Sequence, residues 1–466
     1  PSVAPKAAFK GGASVKSVRI LHGLSKLSRR TNVDYVASFG RYYPNVQYAN
    51  PLIEDPGRFG PTDITIVTYD LLSTRARPDW AQVRRRIQAF FELSGRNILL
   101  PQDDYTASVA LDSFVACNPV EVGTPITSDL GLIYPQSQRM GTRFFPVLTG
   151  YFEPEGWSPE SHFDSIEFSR RPIDYSGRVR RLPPHFGKSA VQKADFSERL
   201  ALCGRRIGLR VDFSTDDADM LLGESWWELL KSSKSTAVTL GGAGLTDPTG
   251  KVGYLYNVLR TSFGASNSVA AWATKSPAQQ KGNFQALGPR GLEAMASGTA
   301  IVASKDINLF GMTPNEHFFE TSDDAEEIEK CFRKLMQPRT WVEVVTNAHA
   351  YLWSSPQLHY SSLVQTILGI PEHQKTARNR QTTLSSRSSF LDSLTVENHL
   401  RLNLIMQKHL HSKREVLSQI RQWLSESSPE GTADITTEAV LEYRSRVLDG
   451  SYLRAALAAP YVSQPE

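Results

Sequence analysis

The sequence predicts an α/β protein with two parallel-sheet domains and a helical tail. At roughly 100 to 200 residues per domain, a chain of 466 residues is too long for one hydrophobic core. Short β-branched runs alternate with helical periodicity, as expected of doubly wound sheets. A stretch of prolines and acids interrupts this rhythm at residues 154–165. We therefore place the boundary between the two domains there.

This boundary and two changes in composition divide the chain into six segments. Small and polar residues open the chain, and a polar, basic stretch precedes a leucine-bearing end. The predicted segments are a flexible lead at 1–17, a first α/β domain at 18–153, a linker at 154–165, a second α/β domain at 166–374, a linker at 375–389 and a helical tail at 390–466.

Composition excludes several classes of function. Lys plus Arg number 52 against 48 Asp plus Glu, a net charge of +4 that does not indicate nucleic-acid binding. The three cysteines are far apart and form no metal or disulfide pattern, which favours a reducing compartment. No apolar run approaches the roughly 18 to 20 residues of a membrane span. We expect a cytoplasmic protein, and basic residues near 378–387 could place it against the inner face of a membrane.

The first domain is predicted from apolar runs that alternate with helices. Residues 64–69 read ITIVTY, a buried strand, and residues 80–94 carry apolar side chains at helical spacing with three arginines on the other side. The strands predicted in this half are 18–21, 46–49, 64–69, 97–100, 121–124 and 144–147.

Two adjacent carboxylates follow the strand at 97–100. Asp103 and Asp104 lie where open α/β sheets place groups that contact ligands. Their repulsion could raise one pKa and supply a general base, or one of them could bind acceptor hydroxyls. Alternatively, one of them caps a helix that starts near Tyr105.

A glycine-rich segment marks the second domain. Residues 236–240 read as a strand, and residues 241–250 read as a loop in which Gly241 and Gly242 let backbone N–H groups approach a ligand. The segment lacks the Gly-Lys-Ser/Thr ending of a phosphate-binding loop and the spacing of a dinucleotide fingerprint. Residues 262–283 read as a mobile connection.

Residues 285–304, QALGPRGLEAMASGTAIVAS, combine a loop, a helix and a strand. Gly288 breaks the loop, residues 292–297 read as a helix of small side chains, and residues 301–303 read as a buried strand. The first N–H groups of the helix, with Arg290 beside them, would face a phosphate. An ordinary buried connection between helix and sheet would need the same small residues.

This stretch resembles the donor-site signature of retaining glycosyltransferases of the GT-B fold, E-G-F-G-L-P-x-x-E-A-M-A-x-G-x-P-V-V. Glu293 matches the second glutamate, and residues 294–298 follow in the family's order. Gln285 replaces the first glutamate, Ala300 replaces the proline before the strand, and Arg290 stands where an apolar residue is usual.

Residues 173–193 resemble the opening of the donor domain in bacterial glycosyltransferase-like proteins. Four basic residues there, Arg178, Arg181, Lys188 and Lys193, could neutralise a diphosphate, or they could form a basic turn on the surface.

The resemblance implies two Rossmann-like domains that face a cleft, with the acceptor on the first and a nucleotide-sugar on the second. Glu293 would accept hydrogen bonds from the ribose hydroxyls, while Arg290 and Lys188 would balance the diphosphate as it leaves. Gln285 would meet the hydroxyls of the transferred sugar. No metal and no cofactor other than the donor, most simply a UDP-sugar, is implied.

We therefore expect a hexosyltransferase-like enzyme of polysaccharide biosynthesis that is retaining and metal-independent. The acceptor could be a glycan, a lipid-linked molecule, a protein or a modified nucleic-acid base, and Asp103 or Asp104 would activate it if the enzyme inverts. The main alternative is a non-catalytic sugar-nucleotide scaffold or sensor whose helical tail binds a partner protein or a second copy. A third interpretation is a sugar-nucleotide epimerase.

Overall fold

The computed structural model describes residues 17–24, 30–77, 79–155, 157–159, 163–221, 223–253, 256, 279–305 and 307–369. The predicted second linker and helical tail, the basic residues near 378–387 and all but the last residue of the predicted lead lie outside this part of the chain.

The first domain is built on a six-stranded parallel sheet. Its strands run in the order β2-β1-β3-β4-β5-β6, with Val18 of β1 opposite both Val46 and Ile64. The order reverses between β1 and β3, which makes that point a switch of the kind that places ligands at the carboxyl ends of the strands. The strands are β1 (Val18–Leu21), β2 (Val46–Ala49), β3 (Thr62–Thr68), β4 (Ser94–Leu100), β5 (Val120–Thr124) and β6 (Arg143–Pro146).

Helices cover this sheet and bury apolar stripes against it. Val83, Ile87 and Phe90 lie on the buried side of α3, and the helix ends at Phe91, earlier than predicted, because β4 begins at Ser94. The helices are α1 (Arg30–Tyr42), α2 (Tyr69–Leu72), α3 (Trp80–Phe91), α4 (Ser108–Ala116), α5 (Leu130–Ile133) and α6 (Pro135–Arg139).

The second domain repeats the same design with a five-stranded parallel sheet. The strands β7 (Tyr175–Arg178), β8 (Val211–Ser214), β9 (Ser235–Ala237), β12 (Ala300–Ser304) and β13 (Phe319–Thr321) run in the order β13-β12-β9-β7-β8. The order again reverses beside the first strand of the domain, β7, so this sheet also has a switch point, between β7 and β9.

Helices also cover the second sheet, and the last helix in the part of the chain that the structure describes returns to the first domain. In that last helix, Tyr360, Leu363 and Val364 pack into the same apolar cluster as Val18 and Ile64 of the first sheet. The helices are α7 (Ser165–Arg170), α8 (Lys188–Arg206), α9 (Glu224–Lys231), α10 (Arg290–Ala296), α11 (Ala325–Leu335), α12 (Pro338–Ser354) and α13 (Tyr360–Leu368). Short 3-10 turns occur at Pro56–Arg58, Ser73–Ala76, Pro184–Phe186, Asp217–Asp219 and Pro356–Leu358.

A two-stranded antiparallel ribbon replaces the predicted glycine-rich loop. The strand β9 ends at Ala237, and β10 (Leu240–Leu245) pairs with β11 (Lys281–Leu287). The prediction of a loop at 241–250 is therefore wrong for residues 241–245. Local periodicity missed the ribbon because the partner strand is far along the chain. Of the predicted mobile connection, 262–278 lie outside the described residues and 281–283 belong to β11.

The ribbon also joins the two domains. Ala243 and Phe284 are fully buried in the same apolar cluster as Tyr105 of the first domain. Across the same boundary, the Ser128 hydroxyl donates a hydrogen bond to the carbonyl of Asn283 at 2.8 Å, and the Thr149 hydroxyl donates one to Leu287 at 2.7 Å. One wall of the cleft is thus held to the opposite domain.

The predicted α/β class with two Rossmann-like domains is confirmed for the described residues. The protein has an α/β fold in which two Rossmann-like domains face a cleft, the GT-B arrangement. In the part of the chain that the structure describes, every helix is too short or too polar to cross a membrane.

Candidate active site in the interdomain cleft

A cavity of about 590 Å³ lies between the two domains. Its lining includes residues that follow strands of both sheets: Tyr69 after β3, Asp103 after β4, Val179 after β7 and Thr239 after β9. The cavity therefore lies at the carboxyl ends of both parallel sheets, where open α/β folds bind ligands. Its volume is within the range of small-molecule sites, about 300 to 1,000 Å³.

The structure brings many of the predicted site residues together in this cavity. They come from the loop after β4, from α8, from the ribbon and from the start of α10. The predicted residues that line the cavity are Asp103, Lys193, Gly241, Gly242, Gly288, Arg290 and Glu293. Those not among its lining residues are Asp104, Arg178, Arg181, Lys188 and Gln285.

The two arginines of the predicted basic turn form ion pairs outside the cavity. Arg178 pairs with Asp212 of β8 at 2.7 Å, and Arg181 pairs with Asp195 and Glu198 of α8, both at 2.6 Å. Lys188 is exposed at the first position of α8. The geometry does not support the predicted binding of a diphosphate by these three residues. Of the basic residues predicted in this turn, only Lys193 faces the cavity.

Asp104 is a buried structural carboxylate. One of its oxygens accepts hydrogen bonds from the hydroxyls of Thr124 at 2.6 Å and Tyr134 at 2.7 Å. Burial raises the pKa of this carboxyl group. The geometry does not support the predicted activation of an acceptor by Asp104, because the side chain is fully buried away from the cavity. The helix-cap interpretation is wrong for both aspartates, since α4 begins at Ser108 after Ala107.

Asp103, in contrast, lines the cavity and adopts a left-handed backbone conformation, with φ of 51°. The Tyr105 hydroxyl donates a hydrogen bond to it at 2.6 Å. Burial raises the pKa of Asp103 to about 6, although the Tyr105 hydroxyl and the charges of Arg75 and Lys193 oppose that rise. A carboxylate with such a pKa is ionised at neutral pH and can still accept a proton.

The Gln285 side chain points away from the cavity in which it was predicted to contact the transferred sugar. It lies in the middle of β11, and its neighbours Phe284 and Ala286 line the cavity. Successive side chains of a strand point to opposite faces, so Gln285 lies on the other face of the ribbon. The geometry does not support the predicted contact between the Gln285 side chain and the transferred sugar.

Glu293 belongs to a compact group on the second-domain wall. The indole N–H of Trp226 on α9 donates a hydrogen bond to Oε2 of Glu293 at 2.8 Å. The guanidinium carbon of Arg290 lies 5.2 Å from the centroid of the Trp226 ring. Arg290 also donates a hydrogen bond to the Arg178 carbonyl at 2.6 Å. Trp226 was not predicted as a site residue, and the adjacent pair Trp226 and Trp227 is a local signal that could have indicated it.

The first-domain wall is acidic and was also missed. Asp34, Glu153 and Glu155 line the cavity with Arg41, which forms ion pairs with both glutamates. The hydroxyl of Tyr42 donates a further hydrogen bond to Glu153 at 2.7 Å. Glu153 was placed only at the end of the first domain and Glu155 only in the linker, because no periodic pattern marks them as part of a wall.

Among the residues that the structure describes, no group of three or more His, Cys, Asp or Glu side chains is placed to hold a metal ion. Cys117, Cys203 and Cys331 are free thiols, and the last two are buried.

Fold and cavity together define a two-domain α/β protein of GT-B architecture with a candidate ligand site in its cleft. No family model and no curated protein sequence matches the chain. Solved structures similar to it include Anabaena HepE in complex with UDP and glucose, at 12% identity and a TM-score of 0.43, over 75% of this chain and 98% of HepE. Sucrose-phosphate synthase from Thermosynechococcus elongatus is similar at 12% identity and a TM-score of 0.39, over 76% of this chain and 97% of that one. TarM is similar at 9% identity and a TM-score of 0.38, over 66% of this chain and 55% of TarM.

Proposed function

We propose that the protein is a glycosyltransferase that moves a hexosyl group from a UDP-sugar to a hydroxyl acceptor. The observation that carries the proposal is the placement of Glu293, Arg290 and Lys193 on one wall of a single interdomain cavity. A carboxylate suits ribose hydroxyls, and the two cations suit a diphosphate. A cavity of about 590 Å³ is large enough for a nucleotide-sugar.

The charges of the two walls support the assignment of donor and acceptor sides. The second-domain wall carries Lys193, Lys231 and Arg290 with Glu224 and Glu293. An anionic donor is attracted to the wall with the excess of cations. As the diphosphate leaves, Arg290 and Lys193 stabilise its growing negative charge, so this route needs no metal ion.

The first-domain wall would hold the acceptor. It carries Asp34, Asp103, Glu153 and Glu155, and Arg41 is its only basic residue among the described residues of the lining. Because like charges repel, this wall disfavours phosphorylated or carboxylated acceptors. An uncharged glycan, whose hydroxyls donate hydrogen bonds to carboxylates, fits it better.

Retention of anomeric configuration is part of the proposal. The bond from the sugar to the leaving phosphate breaks, and the acceptor oxygen forms its new bond on the same face of the sugar. The acceptor proton passes to an oxygen of the leaving phosphate. If the product is instead inverted, Asp103 is placed to take that proton, because it lines the cavity with a pKa of about 6.

The test is release of UDP by the full chain with UDP-sugars and a panel of neutral and anionic oligosaccharides. We expect release that requires both donor and acceptor, persists in EDTA, favours neutral acceptors and is abolished by Glu293→Ala. The matched control is Glu343→Ala, which removes an exposed carboxylate on α12. The anomeric configuration of the product, read by NMR, tests retention.

Two other results would contradict the proposal. Donor binding without transfer to any acceptor would instead indicate a non-catalytic sugar-nucleotide protein. Conversion of the donor in the absence of acceptor would indicate an epimerase.

A further inference from the structure

We infer that Trp226 is a positioning residue that holds Glu293 and Arg290 as one unit for reading the donor's ribose and diphosphate. The inference rests on the proposed function, since it assigns a nucleotide to this wall. It starts from two contacts of one side chain: the indole N–H with Glu293 at 2.8 Å and the indole ring with Arg290 at 5.2 Å.

The hydrogen bond to Glu293 restricts a flexible carboxylate. An indole N–H can only donate, and a carboxylate accepts at about four lone-pair positions, so the bond from Trp226 uses one of these positions and restricts the orientation of the group. A hydrogen bond to an ionised acceptor is stronger than a neutral one. Glu293 is therefore presented to a ribose in one orientation.

The ring of Trp226 restricts Arg290 in the same way. A guanidinium is attracted to the face of an indole at this separation, and its N–H groups point outward in the plane of the guanidinium. The hydrogen bond from Arg290 to the Arg178 carbonyl at 2.6 Å holds the guanidinium from a second direction. One arginine is thus fixed between the end of β7 and the face of α9.

Trp226 itself is placed by the packing of α9. Leu229 and Leu230 are buried and anchor the helix, and the neighbouring Trp227 packs its ring against Trp157 with centroids 4.9 Å apart. Trp226 is half-buried and directed toward α10. Because these other side chains anchor the helix, we expect Trp226→Phe to leave the fold intact.

Two substitutions separate the two contacts. Trp226→Phe keeps a smaller aromatic face for Arg290 and removes the N–H together with the pyrrole part of the indole, and we expect it to weaken UDP binding about 10-fold. Trp226→Leu removes both contacts and should weaken binding by a further factor of about 3.

The decisive experiment compares UDP, 2′-deoxy-UDP and 3′-deoxy-UDP by calorimetry on the full chain. In the parent protein we expect loss of a ribose hydroxyl to weaken binding about 10-fold. In Trp226→Phe the same loss should weaken binding only about 2-fold, because the misoriented Glu293 carboxylate no longer accepts a hydrogen bond from that hydroxyl. A merely structural role for Trp226 would weaken all three ligands by one common factor. The matched control is Trp80→Phe in the first-domain core, where the indole N–H has no hydrogen-bond partner.

The outcomes distinguish failure of the proposed function from failure of the role inferred for Trp226. A parent protein that binds none of the three nucleotides overturns the proposed function itself. A parent protein that binds UDP, with Trp226→Phe discriminating among the nucleotides equally well, overturns only the role of Trp226. Circular dichroism and thermal melts of both tryptophan variants establish that each is folded.

Discussion

Replacement of Gly242 by alanine should damage both the stability and the donor affinity of this protein. Gly242 lies in β10 with φ of 104°, a conformation that residues with a side chain rarely adopt. A Cβ there would overlap the carbonyl oxygen of Phe284 and lie 3.0 Å from the Cα of Gln285. Both atoms belong to the backbone of β11, so they cannot move without disturbing the ribbon.

The expected magnitude follows from these contacts. Forcing a side chain into such a conformation costs about 1 to 3 kcal/mol, and the overlap adds to that cost. We expect Gly242→Ala to lower the free energy of unfolding by at least ~2 kcal/mol, or ~5 °C in Tm for a domain of this size. Because Gly242 and Phe284 both line the cavity, the same substitution should also raise the KM for the donor.

The matched control is Gly241→Ala in the same strand. The nearest atom to a Cβ at Gly241 is the Ala286 carbonyl oxygen at 3.7 Å, an ordinary contact, and φ is not in the left-handed region. This variant should change stability by less than ~0.5 kcal/mol. Thermal and denaturant melts of the two variants provide the comparison. Equal stability of Gly242→Ala and Gly241→Ala would refute the conformational argument and the placement of β10 beside β11.

Two further predictions concern the cleft. The pKa of Asp103 is raised to about 6 in the folded state, against about 3.9 in the unfolded chain. The folded state therefore binds the carboxyl proton more tightly, and ionisation of Asp103 at pH 7 opposes folding by up to ~3 kcal/mol. Stability should therefore gain from this group as the pH falls from 7 to 4; denaturant melts of Asp103→Asn should lack that gain, and an unchanged pH dependence would contradict the assignment. Gly150→Ala would place a Cβ 2.8 Å from that of Pro289 and push the loop before α10, so the donor KM should rise several-fold, whereas Gly60→Ala, with no atom within 4 Å, should leave it unchanged.

Part of the candidate site could be predicted because its residues are neighbours in sequence. Gly288, Arg290 and Glu293 fall within one turn of chain before a buried strand, and all three line the cavity. Lys193 was predicted from the basic composition of its segment, and Asp103 was predicted from its position after a strand. Their proposed roles remain predictions that the assays above test.

Other site residues were missed because only pairing across space gives them their place. Trp226 is distant in sequence from Glu293, and nothing in its own segment indicates the hydrogen bond between them. Arg178 looks like a ligand for phosphate in sequence, yet β8 places Asp212 beside it and the two charges pair. Glu153 belongs to the acidic wall only because Arg41 of α1 reaches it.

Elements with a local pattern could be predicted from the amino-acid sequence. The strand predicted at 301–303 appears as Ala300–Ser304. The helix Ala325–Leu335 has an equally local signal, since Asp324 accepts hydrogen bonds from two N–H groups of its first turn. Capping and periodicity act over a few residues, so a sequence reader can see them. The place of Gly242 in a ribbon and the orientation of Gln285 away from the cavity could not be predicted, because both depend on hydrogen bonds between β10 and β11 across a long separation in the chain.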